Sequence, residues 1–282
     1  TASKLTGALP AISGANLTNL PAGGAALTGS TNNTVVTVTG ADAMQGEANL
    51  GFTGTNLGIG VLDPDNFLEI KGGNNAYINI NHTGGAGGYQ SGILFKTSDT
   101  QNYKIDVTGN GDMTWRSGAS ETVTMTLSSA GEVTMPNQPS FLAFNSADNS
   151  NVTGTNTEVT VEFNTEVFDQ NADYNNSTDT FTAPVTGRYL FVGAVTAGGM
   201  SHDTASTGFV KIAASNRAAR HTFDAGNDAN AAGGGAFASI IDMDASDTCV
   251  IKFAINGESG NTVDIKGDST LMQTYFSGLL VT

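Results

Sequence analysis

The sequence predicts an all-β protein with next to no helix, and three observations lead there. Thr, Asn and Gly number 37, 27 and 36 of the 282 residues. These types favour strands and turns, because Thr is stiff at its first torsion while Asn and Gly accept left-handed turn conformations. Hydrophobic residues still reach 39% and fall in short alternating runs, which supplies the apolar material a folded β protein needs. Finally, Met135-Pro136-Asn137-Gln138-Pro139 removes two ladder donors within four residues and marks a boundary. The predicted architecture is a fibre-like β shaft over 1–139 followed by a two-sheet jelly-roll β-sandwich head over 140–282.

Charge narrows the function classes. Eleven basic residues face 26 acidic ones, for a net charge of −15. Such a surface repels a phosphate backbone and an anionic membrane alike, so no nucleic-acid partner is expected. No run approaches the roughly 18–20 apolar residues that span a bilayer, so no membrane insertion is expected either. The single Cys249 excludes an internal disulfide and paired-cysteine zinc sites. Two-thirds of the charge, −10, belongs to residues 140–282.

Within the first part, Leu5-Thr6-Gly7, Leu17-Thr18-Asn19-Leu20-Pro21 and Leu27-Thr28-Gly29 recur at short intervals. The segments between them are too short and polar to bury those leucines in one chain, whereas several chains side by side could do so. Strand-like runs follow at Val35–Val38, Leu57–Leu62, Phe67–Ile70, Tyr77–Ile80 and Ile93–Phe95, separated by turn clusters such as Gly72-Gly73-Asn74-Asn75 and Gly84-Gly85-Ala86-Gly87-Gly88. Thr122–Leu127 alternates cleanly, with one apolar and one threonine face.

The run Leu5–Leu17, Asn56-Leu57-Gly58-Ile59-Gly60 and Met125–Pro136 resemble repeats in bacteriophage tail-fibre proteins. The resemblance implies a homotrimer with parallel chains along a shaft, located in the virion, with other tail proteins joined upstream of Thr1. The C-terminal self-cleaving chaperone frequent in that family is not expected within residues 140–282, so the chain either folds without it or has already lost it.

In the second part Val159, Val161 and Phe163 alternate with polar residues. Tyr189, Phe191, Gly193 and Val195 alternate with Leu190, Val192 and Ala194, and Cys249, Ile251, Phe253 and Ile255 with Val250, Lys252 and Ala254. About eight strands in roughly 143 residues give the size and rhythm of a jelly roll. Val161-Glu162-Phe163, Tyr174, the stretch from Phe181 to Phe191 and Phe276-Ser277-Gly278-Leu279-Leu280 resemble the globular domain of the C1q and tumour-necrosis-factor superfamily. That resemblance implies a tight trimer, with the first and last strands near its axis and variable loops outward. Phe181, Gly187, Tyr189, Phe191, Phe276 and Gly278 are its core and trimer signature. Gly187 suits a turn that releases the chain into a strand, and Gly278 a close approach by an aromatic ring or a neighbouring chain.

Candidate site residues lie on loops held by that scaffold. Ser201, His202, Asp203, Asn227, Asn230, Asn256, Glu258 and Asn261 are the expected receptor-binding positions, with a host glycan or protein as partner. Thr222-Phe223-Asp224 resembles a strand end where some relatives hold calcium, and Asp228 is the nearest second carboxylate; an ordinary solvated loop is the competing reading. No catalytic residue is expected. His82, His202 and His221 sit in no nucleophile motif, and Asp242, Asp244 and Asp247 fall in a turn without a calcium-loop pattern. Function thus reads as structural and adhesive, the distal part of a phage fibre, against a purely structural spike or a secreted C1q-type lectin.

Overall fold

The computed structural model describes residues 26–28, 34–40, 43–73, 76–80, 91–98, 101–200, 206–226 and 231–282. The leucine repeats before Ala26, the Gly84–Gly88 cluster and His82 lie outside these. Backbone contacts gather the chain into two units, Thr1–Asn81 and His82–Thr282. Every regular element among the described residues is a strand, and no helix there is long and apolar enough to cross a membrane.

The first unit holds one sheet. β1 (Ala26–Thr28), β3 (Ala43–Phe52), β4 (Leu57–Ile59) and β5 (Leu68–Ile70) follow one another across it, with β2 (Thr34–Gly40) paired to β3. Tyr77–Ile80, expected as a strand, is not assigned as one: it pairs with no strand among the described residues, and Tyr77 is 83% exposed. Alternation supplies the side chains of a strand, but only a neighbour supplies its hydrogen bonds.

The second unit begins with an antiparallel meander, β6 (Ser91–Ser98), β7 (Gln101–Val107), β8 (Met113–Ser117), β9 (Thr122–Leu127) and β10 (Val133–Thr134). Register places Lys104 opposite Arg116 and Asp106 opposite Thr114 on one face. There the buried Asp106 carboxylate accepts hydrogen bonds from the Thr114 hydroxyl and from Arg116 Nε (3.2 Å), with Lys104 Nζ 3.5 Å away. Burial alone would raise its pKa, yet the bonds from Thr114 and Arg116, with the charges of Arg116 and Lys104, hold it below the ordinary carboxylate value. A depressed folded-state pKa stabilises the fold at every pH above the unfolded value near 3.9, and that contribution fades as pH falls through the folded value. Asp106→Asn should therefore cost about 1–3 kcal/mol at neutral pH. It should also flatten the loss of meander stability below about pH 4, read by the fluorescence of Trp115 during urea titrations at several pH values.

The remaining strands build a sandwich. One sheet runs β12 (Asn149–Thr153), β22 (Val263–Ile265), β17 (Gly187–Met200), β23 (Tyr275–Leu280), β11 (Ser140–Phe144) and β14 (Thr165–Asp169), with β20 (Ala231–Met243) along the other edge of β17. The second runs β15 (Tyr174–Asn175), β16 (Thr180–Thr182), β21 (Thr248–Asn256), β18 (Ser206–Ala214) and β19 (Ala218–Gly226), with β13 (Val159–Thr160) on β21. Between them lie Phe141, Phe163, Phe181, Tyr189, Phe191, Phe253 and Phe276, all essentially inaccessible to solvent. Phe141 stacks on Tyr174 at 4.8 Å and meets Phe276 edge-on at 4.9 Å, arrangements that aromatic quadrupoles favour. Cys249 is buried in the same core, where desolvation pushes its thiol far above the ordinary value.

Two expectations change in detail. Val161 and Phe163 are fully buried but lie beyond the short β13, so their alternation marks the core and not a long ladder. Gly187 does not have a left-handed backbone; a side chain there would meet Leu280 Cδ1 at 2.6 Å and the Thr282 carbonyl at 2.8 Å, so space is what it provides. Gly278 is the close approach expected, since a Cβ would stand 2.6 Å from Phe141 and 2.8 Å from Phe191.

Candidate functional site: an apolar sheet face and a loop-bearing end

β17 alternates strictly, so its inward residues Tyr189, Phe191, Gly193 and Val195 leave Leu190, Val192 and Ala194 on the opposite face of the same sheet. Register extends that face sideways. Leu190 aligns with Leu279 and Ile240, Val192 with Ser277 and Ala238, and Leu142 with Ser277 from the other side. Ile240 is 55% exposed and Leu279 42%, and no charged residue enters these rows. A sheet of which one face forms the core ordinarily turns polar residues to water on the other. This one turns apolar residues outward in a part of the chain that carries −10, which is the mark of a surface that another chain covers.

The second feature is the polarity of the sandwich. Thr207 pairs with Asp224 on one side and Asn256 on the other, and Met200 pairs with Ala231. The C-terminal ends of β17, β19 and β21 and the starts of β18 and β20 therefore share one end, from which all three expected loop sets leave. At the opposite end, where β17 begins, the preceding chain comes in. Leu280 N donates to the Pro139 carbonyl at 3.1 Å, and Gln138 Nε2 to the Leu280 carbonyl at 3.2 Å. Gln170 Nε2 donates to the Met135 and Gln138 carbonyls at 2.8 and 2.9 Å. The 14 residues of β17 separate the two ends, which at a strand's rise is about 45 Å.

Of the expected binding residues, Ser201, His202, Asp203, Asn227 and Asn230 lie outside the described residues. Asn256 closes β21 and is exposed, Glu258 is half-buried, and Asn261 is exposed. The Asn261 carboxamide is bound to its own scaffold: its oxygen accepts from Thr155 Oγ1 at 2.8 Å, and its nitrogen donates to Thr157 Oγ1 at 3.1 Å. Segments 154–158 and 257–262 thus form one knit patch at the loop-bearing end, a pairing across a hundred residues that spacing could not reveal. Asp224 is exposed near the end of β19, and Asp228 lies outside the described residues; among the described residues no group of three or more His, Cys, Asp or Glu gathers to hold a metal.

The acidic cluster is turn structure. Asp242 forms an ion pair with Arg217 at 2.9 Å, and Asp247 accepts from Ser215 Oγ at 2.6 Å and from Asp244 N at 2.8 Å. The Ser215 hydrogen bond holds the Asp247 carboxyl below its ordinary value. His221 stands exposed on β19, opposite Val210, with neither a nucleophile nor a carboxylate across from it.

Fold and surface together define a β-sandwich binding or structural module. Residues 143–281 match the C1q domain family, and a C1q domain occupies that part of the chain; such domains are typically non-enzymatic. No match was found among curated proteins. Among solved structures, the globular domain of zebrafish complement 1qA is 17% identical, over 51% of this chain and 98% of its own, with a TM-score of 0.37. Murine APRIL, at pH 8.5, is 15% identical over 51% and 99%, with a TM-score of 0.34.

Proposed function

We propose that this chain is the distal part of a homotrimeric bacteriophage tail fibre whose C1q-type head attaches the virion to the host cell surface. The observation that carries this reading is the polarity of the head, in which the preceding chain is fastened at one end and the three loop sets leave from the other. A head built this way presents its loops away from whatever carries it. The apolar rows of Leu190, Val192 and Ile240 support self-association as three copies, and the tail-fibre-like repeats of residues 1–139 support a shaft joined to other tail proteins upstream. Domains divide at 139/140 on this reading, because the sheets change between β10 and β11. Three identical loop sets per fibre and several fibres per particle turn weak contacts with a surface glycan or protein into firm attachment.

Exchange of segments 201–205, 227–230 and 257–261 for those of another C1q-type head tests the proposal. Isolated native trimers should block phage adsorption, and exchanged trimers should not. If native trimers leave adsorption unaffected, the receptor role is lost and a purely structural spike remains. A secreted C1q-type lectin, the reading favoured by the C1q domain taken by itself, would bind glycan yet leave adsorption unchanged.

A further inference from the structure

We infer that Asn256-Gly257 is a site of spontaneous covalent modification, with water as the co-reactant and ammonia as the leaving group. The sequence holds two Asn-Gly pairs, Asn110-Gly111 and Asn256-Gly257. Asparagine followed by glycine suits this chemistry, because no side chain on the second residue crowds its amide nitrogen or restricts its backbone. That nitrogen attacks the asparagine Cγ. A nitrogen–carbon bond forms, the Cγ–Nδ2 bond breaks, and ammonia leaves carrying the amide proton. Water then opens the five-membered imide at one of its two carbonyls. Opening at Cγ gives aspartate, and opening at the main-chain carbonyl gives isoaspartate, whose backbone is one methylene longer; nothing is oxidised or reduced.

Exposure does not separate the two pairs, since both asparagines face solvent. Hydrogen bonding does. Gly111 N donates to the Thr108 carbonyl at 2.9 Å and Thr108 N to the Asp112 carbonyl at 2.8 Å, closing the turn between β7 and β8 around Asn110. Ser129 N fastens the same turn by donating to Asp112 Oδ1 at 2.9 Å. The attacking nitrogen there must first give up a bond that the turn depends on. Asn256 is placed differently. It is the last residue of β21, just past Ile255, whose carbonyl accepts from Asn156 N at 2.8 Å and whose N donates to Thr153 Oγ1 at 3.1 Å. Beyond that anchor, neither the Asn256 carboxamide nor Gly257 N makes a hydrogen bond among the described residues. Gly257 has a φ of 116°, which glycine alone adopts without strain. Both reacting groups are therefore available in the folded head. The product alters the loop-bearing end: a carboxylate at position 256 joins the cross-strand row of Thr207 and Asp224. Isoaspartate also lengthens the chain ahead of Glu258, whose N donates to the Gly154 carbonyl at 3.1 Å. Only the bearing of this change on attachment rests on the proposed function; the reaction itself does not.

The full chain is incubated in heavy-oxygen water at neutral and at mildly alkaline pH, beside a urea-unfolded sample, and its peptides are weighed by mass spectrometry. Uptake of the heavy oxygen marks conversion during incubation and not during digestion. In the folded chain the Asn256 peptide should convert several-fold faster than the Asn110 peptide, faster still at the higher pH, and in part to isoaspartate. In urea the two rates should draw together, because the turn that protects Asn110 is gone. Conversion of Asn110 as fast as Asn256 in the folded chain overturns the inference. So does a folded-chain Asn256 peptide that stays unlabelled while the unfolded sample converts fully. Neither result touches the attachment role, which the adsorption assays decide.

Discussion

Phe276→Ala lowers the stability of the sandwich by about 3–5 kcal/mol. Phe276 is fully buried on β23. Its ring lies 4.9 Å from Phe141, 5.5 Å from Phe163, 5.6 Å from Phe191, 6.0 Å from Phe237 and 6.1 Å from Tyr174. Removing it empties the point where rings from five other segments converge. The site collapses poorly, because Ala143 and Gly193, its cross-strand neighbours, have little or no side chain to move inward. Phe276→Leu refills most of the volume and should cost clearly less. Urea unfolding followed by far-ultraviolet circular dichroism reads all the strands together, most of them in the head, while Trp115 emission reads the meander separately. A midpoint for Phe276→Ala within error of the parent would refute this account of the core. Because an associated chain gains stability with concentration, all variants are compared at one protein concentration.

How much of this was legible beforehand varies with how far apart the interacting residues are. Tyr189, Phe191 and Phe276 announced themselves, since large aromatics at alternate positions have few destinations other than the core of a β-sandwich. β17 was harder, because both of its faces are apolar in sequence. Which one forms the core is decided by the second sheet opposite, and the outward set, Leu190 and Val192, becomes meaningful only once no other sheet among the described residues packs on it. The spacing of Asp106 and Arg116 gives no sign of their contact; register brings them together across β7 and β8. Tyr77–Ile80 misled in the opposite sense, having the pattern of a strand and no ladder partner among the described residues. Sequence spacing suggested the loop segments, but the common end shared by the strands that flank them follows from the pairing of Thr207 with both Asp224 and Asn256, and no local pattern encodes it.

Val192→Asp should convert the proposed trimer, about three times the 28.8 kDa chain mass, into a monomer. Val192 lies within the apolar rows of this face, flanked by Ser277 on β23 and Ala238 on β20. In a single chain it is half-buried and points away from the aromatic core, so a carboxylate there can reach water and the sandwich still folds. In the assembly three such carboxylates would be confined near one another, while the nearest cation on this face, Arg188, stands two rows away opposite Asp242. The effective penalty is several kcal/mol per ion, added to the mutual repulsion of three like charges. Ile240→Asp, at a position 55% exposed, repeats the test with even less disturbance of the single chain. Sedimentation should give a monomer for both variants, with circular dichroism spectra like the parent's at matched concentration. If adhesion depends on presenting three loop sets at once, both variants should also lose the ability to block adsorption although every loop residue is intact. A trimer that survives both substitutions would remove this face from the assembly and with it the arrangement proposed for the head.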